Sequence, residues 1–171
     1  MRFILSMSLL LLSIAAHSEI IKPSEESAEL SNAVDNLISS INDVYSYSPA
    51  RKVFSLPDKK VAVIFVIEGR GHGNNYQQYL AVFSSSQRSK LISGETYEYH
   101  GPLKYSLVGV LNVGAKSKGG VSTKQLEYTK NKLTLAVVAG RWGSELLKTA
   151  GLPKNSNTVN VSIGHYGLVV E

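Results

Sequence analysis

Between Glu68 and Tyr76 the chain reads Glu-Gly-Arg-Gly-His-Gly-Asn-Asn-Tyr, which places an arginine, a histidine and two asparagines among three glycines in one short loop. Arg70 and His72 could meet an anion there, and Asn74 and Asn75 can satisfy loop backbone groups with their amides. Glu68 and His72 could share a proton across the loop, because a strand end and a tight turn bring them near each other. No oxyanion donors and no second carboxylate accompany them, and no Gly-x-Ser-x-Gly elbow occurs in the chain. His72, His100 and His165 each adjoin a glycine and form no close-spaced ligand pair, so exposed turns explain them better than a metal site.

Two glycine patterns suggest phosphate binding and fail on mechanism. After Gly69, Gly71 and Gly73 a dinucleotide site needs a helix aimed at the pyrophosphate, and "YQQYLAVF" has strand composition. Gly109 and Gly114 have P-loop separation, but Ala115 intrudes before Lys116 and Ser117. No cofactor is read from the sequence. Nine tyrosines against four phenylalanines imply many half-buried rings with wet hydroxyls. In "TYEYH", Tyr97 and Tyr99 share one face of a strand, which could stack on a sugar or a partner, or form a plain cross-strand pair.

The elements that must position these residues follow from patterning. Residues 1–18 read as a secretory signal peptide: Arg2, an apolar run from Phe3 to Ile14, then Ala16-His17-Ser18, with cleavage expected after about Ser18. The run is shorter than the roughly 20 residues a spanning helix needs. No cysteine is present, which excludes disulfides, thiolate metal sites and thiol nucleophiles, and an exported chain without them fits a periplasm. The net charge of +5 is spread along the chain with no block of five like charges, so nucleic-acid binding is not expected.

Residues 19–171 then read as a single α+β domain. Leu30, Ala33, Val34, Leu37, Ile38, Ile41, Val44 and Tyr45 recur at helical spacing, with Ser24 as the expected cap and Pro49 as the stop. This predicts a long N-terminal amphipathic helix of about six turns. It would pack on a curved, mainly antiparallel sheet of six to eight strands. "KVAVIFVIE" is apolar on both faces and should be a central strand covered on both sides. "TKNK" suits a hairpin turn, "TVNVSIGHYGLVVE" reads as strand, turn and strand, and "SELLKTAG" reads as a short capped helix.

The stretch "EGRGHGNNYQQYLAVF" resembles a family of small exported bacterial proteins of unassigned function. Their pattern is a glycine-rich turn, then Asn-Asn-Tyr, a glutamine-tyrosine step and Leu-Ala-Val-Phe. The matching residues are Gly69, Gly71, Gly73, Asn74, Asn75, Tyr76, Gln78, Tyr79 and Leu80 to Phe83. A weaker likeness covers "LKYSLVGVLNVGAKSKGG". The family pattern has apolar or glycine residues at Arg70 and His72, so a function built on those side chains would be particular to this chain. The resemblance implies an exported β-rich domain.

Together these readings point to a non-catalytic periplasmic binding or protein-interaction domain. Its expected contact residues are Arg70, His72, Asn74, Asn75, Tyr97 and Tyr99, and its partner an envelope protein or cell-wall component. Homodimerisation is left open. One alternative is an inhibitor or immunity protein against a cell-wall hydrolase, because Ser93-Gly94-Glu95-Thr96-Tyr97 is similar to the Ser-Gly-x-x-Tyr loop of exported lysozyme inhibitors. Another is a metal-dependent envelope enzyme using Glu68, His72 and His100 or His165.

Overall fold

The computed structural model of the protein describes residues 18–41, 46–68, 76–91, 98–115, 120–138 and 157–171. The fold is organised around the strand Lys60–Glu68 (β3), whose residues are apolar on both sides. It pairs antiparallel with Ser46–Leu56 (β2) and Tyr76–Leu91 (β4), and β4 pairs with Glu98–Ala115 (β5), giving a four-stranded sheet of order β2-β3-β4-β5. Val61, Val63, Phe65 and Ile67 face one way, onto Leu30, Val34, Leu37 and Ile38 of the helix Ala28–Ile41 (α1). Ala62 and Ile64 face the other way, onto a second sheet.

That second sheet is assembled from Glu19–Ile21 (β1), Gly120–Val121 (β6), Leu126–Thr129 (β7), Lys132–Val138 (β8), Thr158–Gly164 (β9) and Gly167–Val170 (β10). Its order is β1-β7-β8-β9-β10, with β6 also on β8. Leu126 and Tyr128, Leu133 and Leu135, and Val159, Val161 and Ile163 alternate inward, while their neighbours stay in contact with water. Such one-sided alternation marks a sheet with a single covered face. The molecule is therefore three layers deep: helix, four-stranded sheet, six-stranded sheet. Phe54, Ile64, Leu80, Val82, Leu133, Leu135 and Val161 are fully buried between the sheets, each worth about 1.5–3 kcal/mol relative to exposure.

The α+β class is corrected to a mostly β fold with one short helix, and two particular expectations are corrected with it. The first is the long N-terminal helix. The helix has 14 residues and begins at Ala28. Ser24 cannot cap it, because its backbone N–H donates to Val53 O at 2.8 Å and bridges to β2. Ser27 takes the capping role, its Oγ accepting from Leu30 N at 3.2 Å. Glu26 lies before the first turn and pairs instead with Arg51. The second correction concerns the single curved sheet of six to eight strands. The described residues form ten strands in two sheets. The far face of β3 is covered by the second sheet, and not by the first one curling over. Residues 42–45 and the expected helix at 144–151 lie outside the described residues.

Turn chemistry follows the sequence more closely. Asp58 (φ 57°) and Lys59 (φ 56°) turn β2 into β3, and Lys130 (φ 46°) and Asn131 (φ 67°) turn β7 into β8. Two successive residues of positive φ make the tight hairpin turn that matches strand twist. The sandwich is fastened along both sides. After β1 the chain crosses to the edge of β2 through the Ser24 bridge. On the other side β5 lies against β10 so closely that a Cβ on Gly109 would stand 2.9 Å from Leu168 N.

Strand β10 is also tied down by charge. The carboxylate of Glu171 accepts from Lys132 Nζ and Ser162 Oγ, and these bonds, the lysine's first, hold it below the usual carboxylate range. A depressed folded pKa means that the tether is present above the unfolded value and is lost as pH falls through the folded one. Amide protection at Val169 and Val170 should therefore drop relative to Val161 as pH is taken below about 4. Protection ratios that stay constant down to the acid limit of folding would rule the tether out.

Candidate functional site

The surface expected from the sequence is divided between two ends of one strand. Arg70, His72, Asn74 and Asn75 fall in 69–75, between β3 and β4, and Tyr97 falls in 92–97, between β4 and β5; both segments lie outside the described residues. Tyr99 is on β5, in register with Lys90 of β4. Strand β4 begins at Tyr76, opposite Glu68, so fourteen residues separate the glycine loop from the Lys90–Tyr99 pair. At the usual rise that is about 45 Å along the strand. His100 pairs with Ser89 on the same distant stretch. His165 is in the β9–β10 turn, exposed, with Tyr166 edge-on to it at 4.9 Å. Among the described residues no three His, Asp or Glu side chains gather as metal ligands.

Next to the glycine loop, the structure shows what the glutamine-tyrosine step does. Gln78 shares the face of Leu80 and Val82, and at 8% exposure it is a polar side chain inside an apolar core. Strand β6 pairs with β8 along one edge, through Gly120 and Val121, and Ser122 N continues that pairing by donating to Ala136 O. Alternation then turns the amide of Val121 to the opposite edge, where none of the described strands pairs with it. Gln78 fills the gap. Its Oε1 accepts from Val121 N at 2.7 Å and its Nε2 donates to Val121 O at 3.1 Å. One side chain of the four-stranded sheet thus acts as a strand for the other sheet. The approach requires Gly120, because a Cβ there would stand 2.3 Å from Gln78 Oε1. Tyr79, on the other face, stacks on Phe65 at 5.6 Å and donates its hydroxyl to Gln77 Oε1 at 2.5 Å. This end of β4 is architecture.

The opposite end carries the exposed chemistry. Strand β3 starts at Lys60, opposite Ser84, but β4 and β5 go on pairing to Leu91 and Glu98. Seven residues of β4, Ser85 to Leu91, therefore have β5 as their partner and no β3 beside them. They form a two-stranded arm about 23 Å long. Its root is fixed to the body by Ser85, whose N–H and Oγ both donate to Lys59 O, at 2.7 and 3.0 Å. Gln87 Nε2 donates to Gly101 O at 3.0 Å where the register slips beside Pro102.

Two more hairpin ends meet the arm root. Asn131 Oδ1 accepts from Lys60 Nζ at 2.9 Å and from the Tyr128 hydroxyl at 3.0 Å, and Asn131 O accepts from Ile163 N at 2.7 Å. Burial pushes the Tyr128 phenol up, so it stays a proton donor. These bonds bring the β7–β8 turn and the last residues of β9 beside the β2–β3 turn. Lys59, Lys104 and Lys130 are exposed there, and Tyr166 is fully exposed. The sequence signal for this region was the polar run Ser84 to Lys90 following a core strand, which marks a strand leaving the body. Lys130 and Tyr166 sit in turns that the sequence located, without showing that these turns share an end of the molecule with Lys59.

No family model matches the chain, and no curated protein and no solved structure matches it.

Proposed function

We propose that the chain is a non-catalytic binding or protein-interaction domain, exported to the periplasm, that engages an envelope component through the arm of β4 and β5. The observation that supports this is the arm itself. A two-stranded ribbon with no third strand is marginal in water. The stretch Ser85-Ser86-Gln87-Arg88-Ser89-Lys90 offers it little apolar surface of its own. An element of that kind is stabilised when something docks on it. The space between the sheets, in contrast, is filled by fully buried side chains.

The test is an armless variant in which Ser86 to Lys104 are replaced by Asn-Gly, a turn suited to closing the Ser85–Tyr105 pair. In-cell crosslinking of the exported chain to envelope material should be lost in the variant while its melting temperature stays near that of the parent. Unchanged crosslinking by the folded armless chain would reject the reading. A second reading has one specific observation in its favour. Ser93-Gly94-Glu95-Thr96-Tyr97 joins the two strands of the arm, where an inhibitory plug would have to be. Inhibition of a lysozyme by the parent and not by the armless chain would select it.

A further inference from the structure

We propose that the arm root is a binding surface for an acidic polysaccharide, with Lys59, Lys104 and Lys130 meeting its anionic groups and Tyr166 stacking on a sugar ring. This deepens the binding reading above and rests on it. Four pieces of chain converge here: the β2–β3 turn, the β7–β8 turn, the β9–β10 turn and the base of β5. They are held by the Lys60–Asn131, Asn131–Ile163 and Ser85–Lys59 hydrogen bonds. On the fourth side Gly167 and Leu168 pack against Val108 and Gly109. Each piece contributes one exposed cation or aromatic ring: Lys59, Lys130, Tyr166 and Lys104 in turn.

The charge at this end is positive. Among the described residues, Asp58 lies 4.0 Å from Lys60 Nζ, Glu171 pairs with Lys132, and Glu19 is exposed in register with Tyr128, so Lys59, Lys60, Lys104, Lys130 and Lys132 outnumber the carboxylates at this end. The acidic residues Glu25, Glu29 and Asp35 are exposed elsewhere, on the helix layer and its approach. The excess of lysines at this end favours a polyanion. Cations dispersed over separate hairpins suit a chain of repeated charges, because each adds a contact along a polymer.

The surroundings favour sugar over lipid. Ser84, Ser86 and Ser106 line the base of the arm and offer hydroxyls rather than an insertion face. A fully exposed tyrosine supplies a flat apolar ring with a wet hydroxyl. That combination fits one face of a pyranose.

Polygalacturonate, neutral dextran, inorganic polyphosphate and phosphatidylglycerol vesicles serve as probes, with binding to the full chain followed by calorimetry or co-sedimentation. Polygalacturonate should bind, dextran should not, and affinity should fall with salt. The variant Lys59→Gln/Lys104→Gln/Lys130→Gln should bind polygalacturonate at least about tenfold more weakly, a loss of about 1.4 kcal/mol, with an unchanged melting temperature. Tyr166→Ser should weaken polygalacturonate binding and leave polyphosphate binding as it was, which separates ring stacking from charge. No binding of polygalacturonate, or binding indifferent to the three lysines, overturns the proposal and leaves the arm reading standing. Vesicle binding tighter than polygalacturonate binding overturns it in favour of a lipid surface. Loss of binding in the armless variant but not in the lysine variant overturns it by placing the ligand farther out on the arm.

Discussion

Replacing Gln78 with alanine is expected to lower stability by about 2–4 kcal/mol, because it strands two buried backbone groups at once. Val121 is 3% exposed, and both its N–H and its C=O depend on the Gln78 amide. Gly120→Ala should cost a similar amount by a different route. Its Cβ would overlap Gln78 Oε1, and the amide could move aside only by giving up the same two bonds. Since each change removes one shared interaction, the two costs should not add. Gly120→Ala in the Gln78→Ala background should be nearly free, so the coupling energy should be about as large as the cost of Gly120→Ala alone. Urea unfolding of the four proteins measures this from midpoints at constant slope. Additive losses would mean that Gln78 and Gly120 act independently.

This clamp shows how far the sequence could be read. In the four-stranded sheet β3 was legible, because β-branched runs and period-two alternation are local, whereas the first residues of β2 were expected in the helix. "KVAVIFVIE" became β3 at the bounds its pattern gave and is covered on both faces. Period two also put Gln78 on the side of Leu80 and Val82, and a buried amide must have a partner. The identity of that partner is a long-range fact. The stretch ending in Gly119-Gly120 reads as a turn, yet Gly120 is in a strand and lacks a side chain so that Gln78 can enter. Gln78 and Gly120 therefore meet in space and serve the joint between the sheets.

The helix was misjudged for a related reason. Ser24 and Ser27 are both good caps by type, and the helical pattern does not choose between them. The choice is made by β2, which takes the Ser24 backbone as a bridge and leaves Ser27 as the first residue free to cap. The single sheet was likewise misjudged, because alternation tells which face is buried and not against what. The candidate contact residues were read from loop composition, which carries no distance. The segment that holds Arg70 precedes β4, whereas Tyr99 is on β5 in register with Lys90, fourteen residues along β4 from Tyr76.

Arg51 should show the other large effect. Its side chain is 9% exposed and donates in three directions: Nε to Glu26 Oε2 at 3.0 Å, Nη1 to Asp35 Oδ1 at 2.7 Å and Nη2 to Ser31 Oγ at 2.9 Å. It thereby pins both the approach to α1 and the helix itself onto β2. Arg51→Met should cost about 2–4 kcal/mol, below the top of the range for a broken buried pair because Asp35 is 57% exposed and water takes over there. Most of the loss should come from Glu26, which is 23% exposed and whose Oε1 is buried with no hydrogen-bond partner among the described residues even with the arginine in place. Adding Glu26→Leu to Arg51→Met should then restore part of the stability, since the stranded carboxylate goes. Arg51→Lys should fall between parent and Arg51→Met, because a point charge cannot reach three partners in a fork. Amide exchange should quicken along Ala28–Ile41 in Arg51→Met before it does so in β8. A double variant no more stable than Arg51→Met alone would show that the arginine acts through packing and not by compensating Glu26.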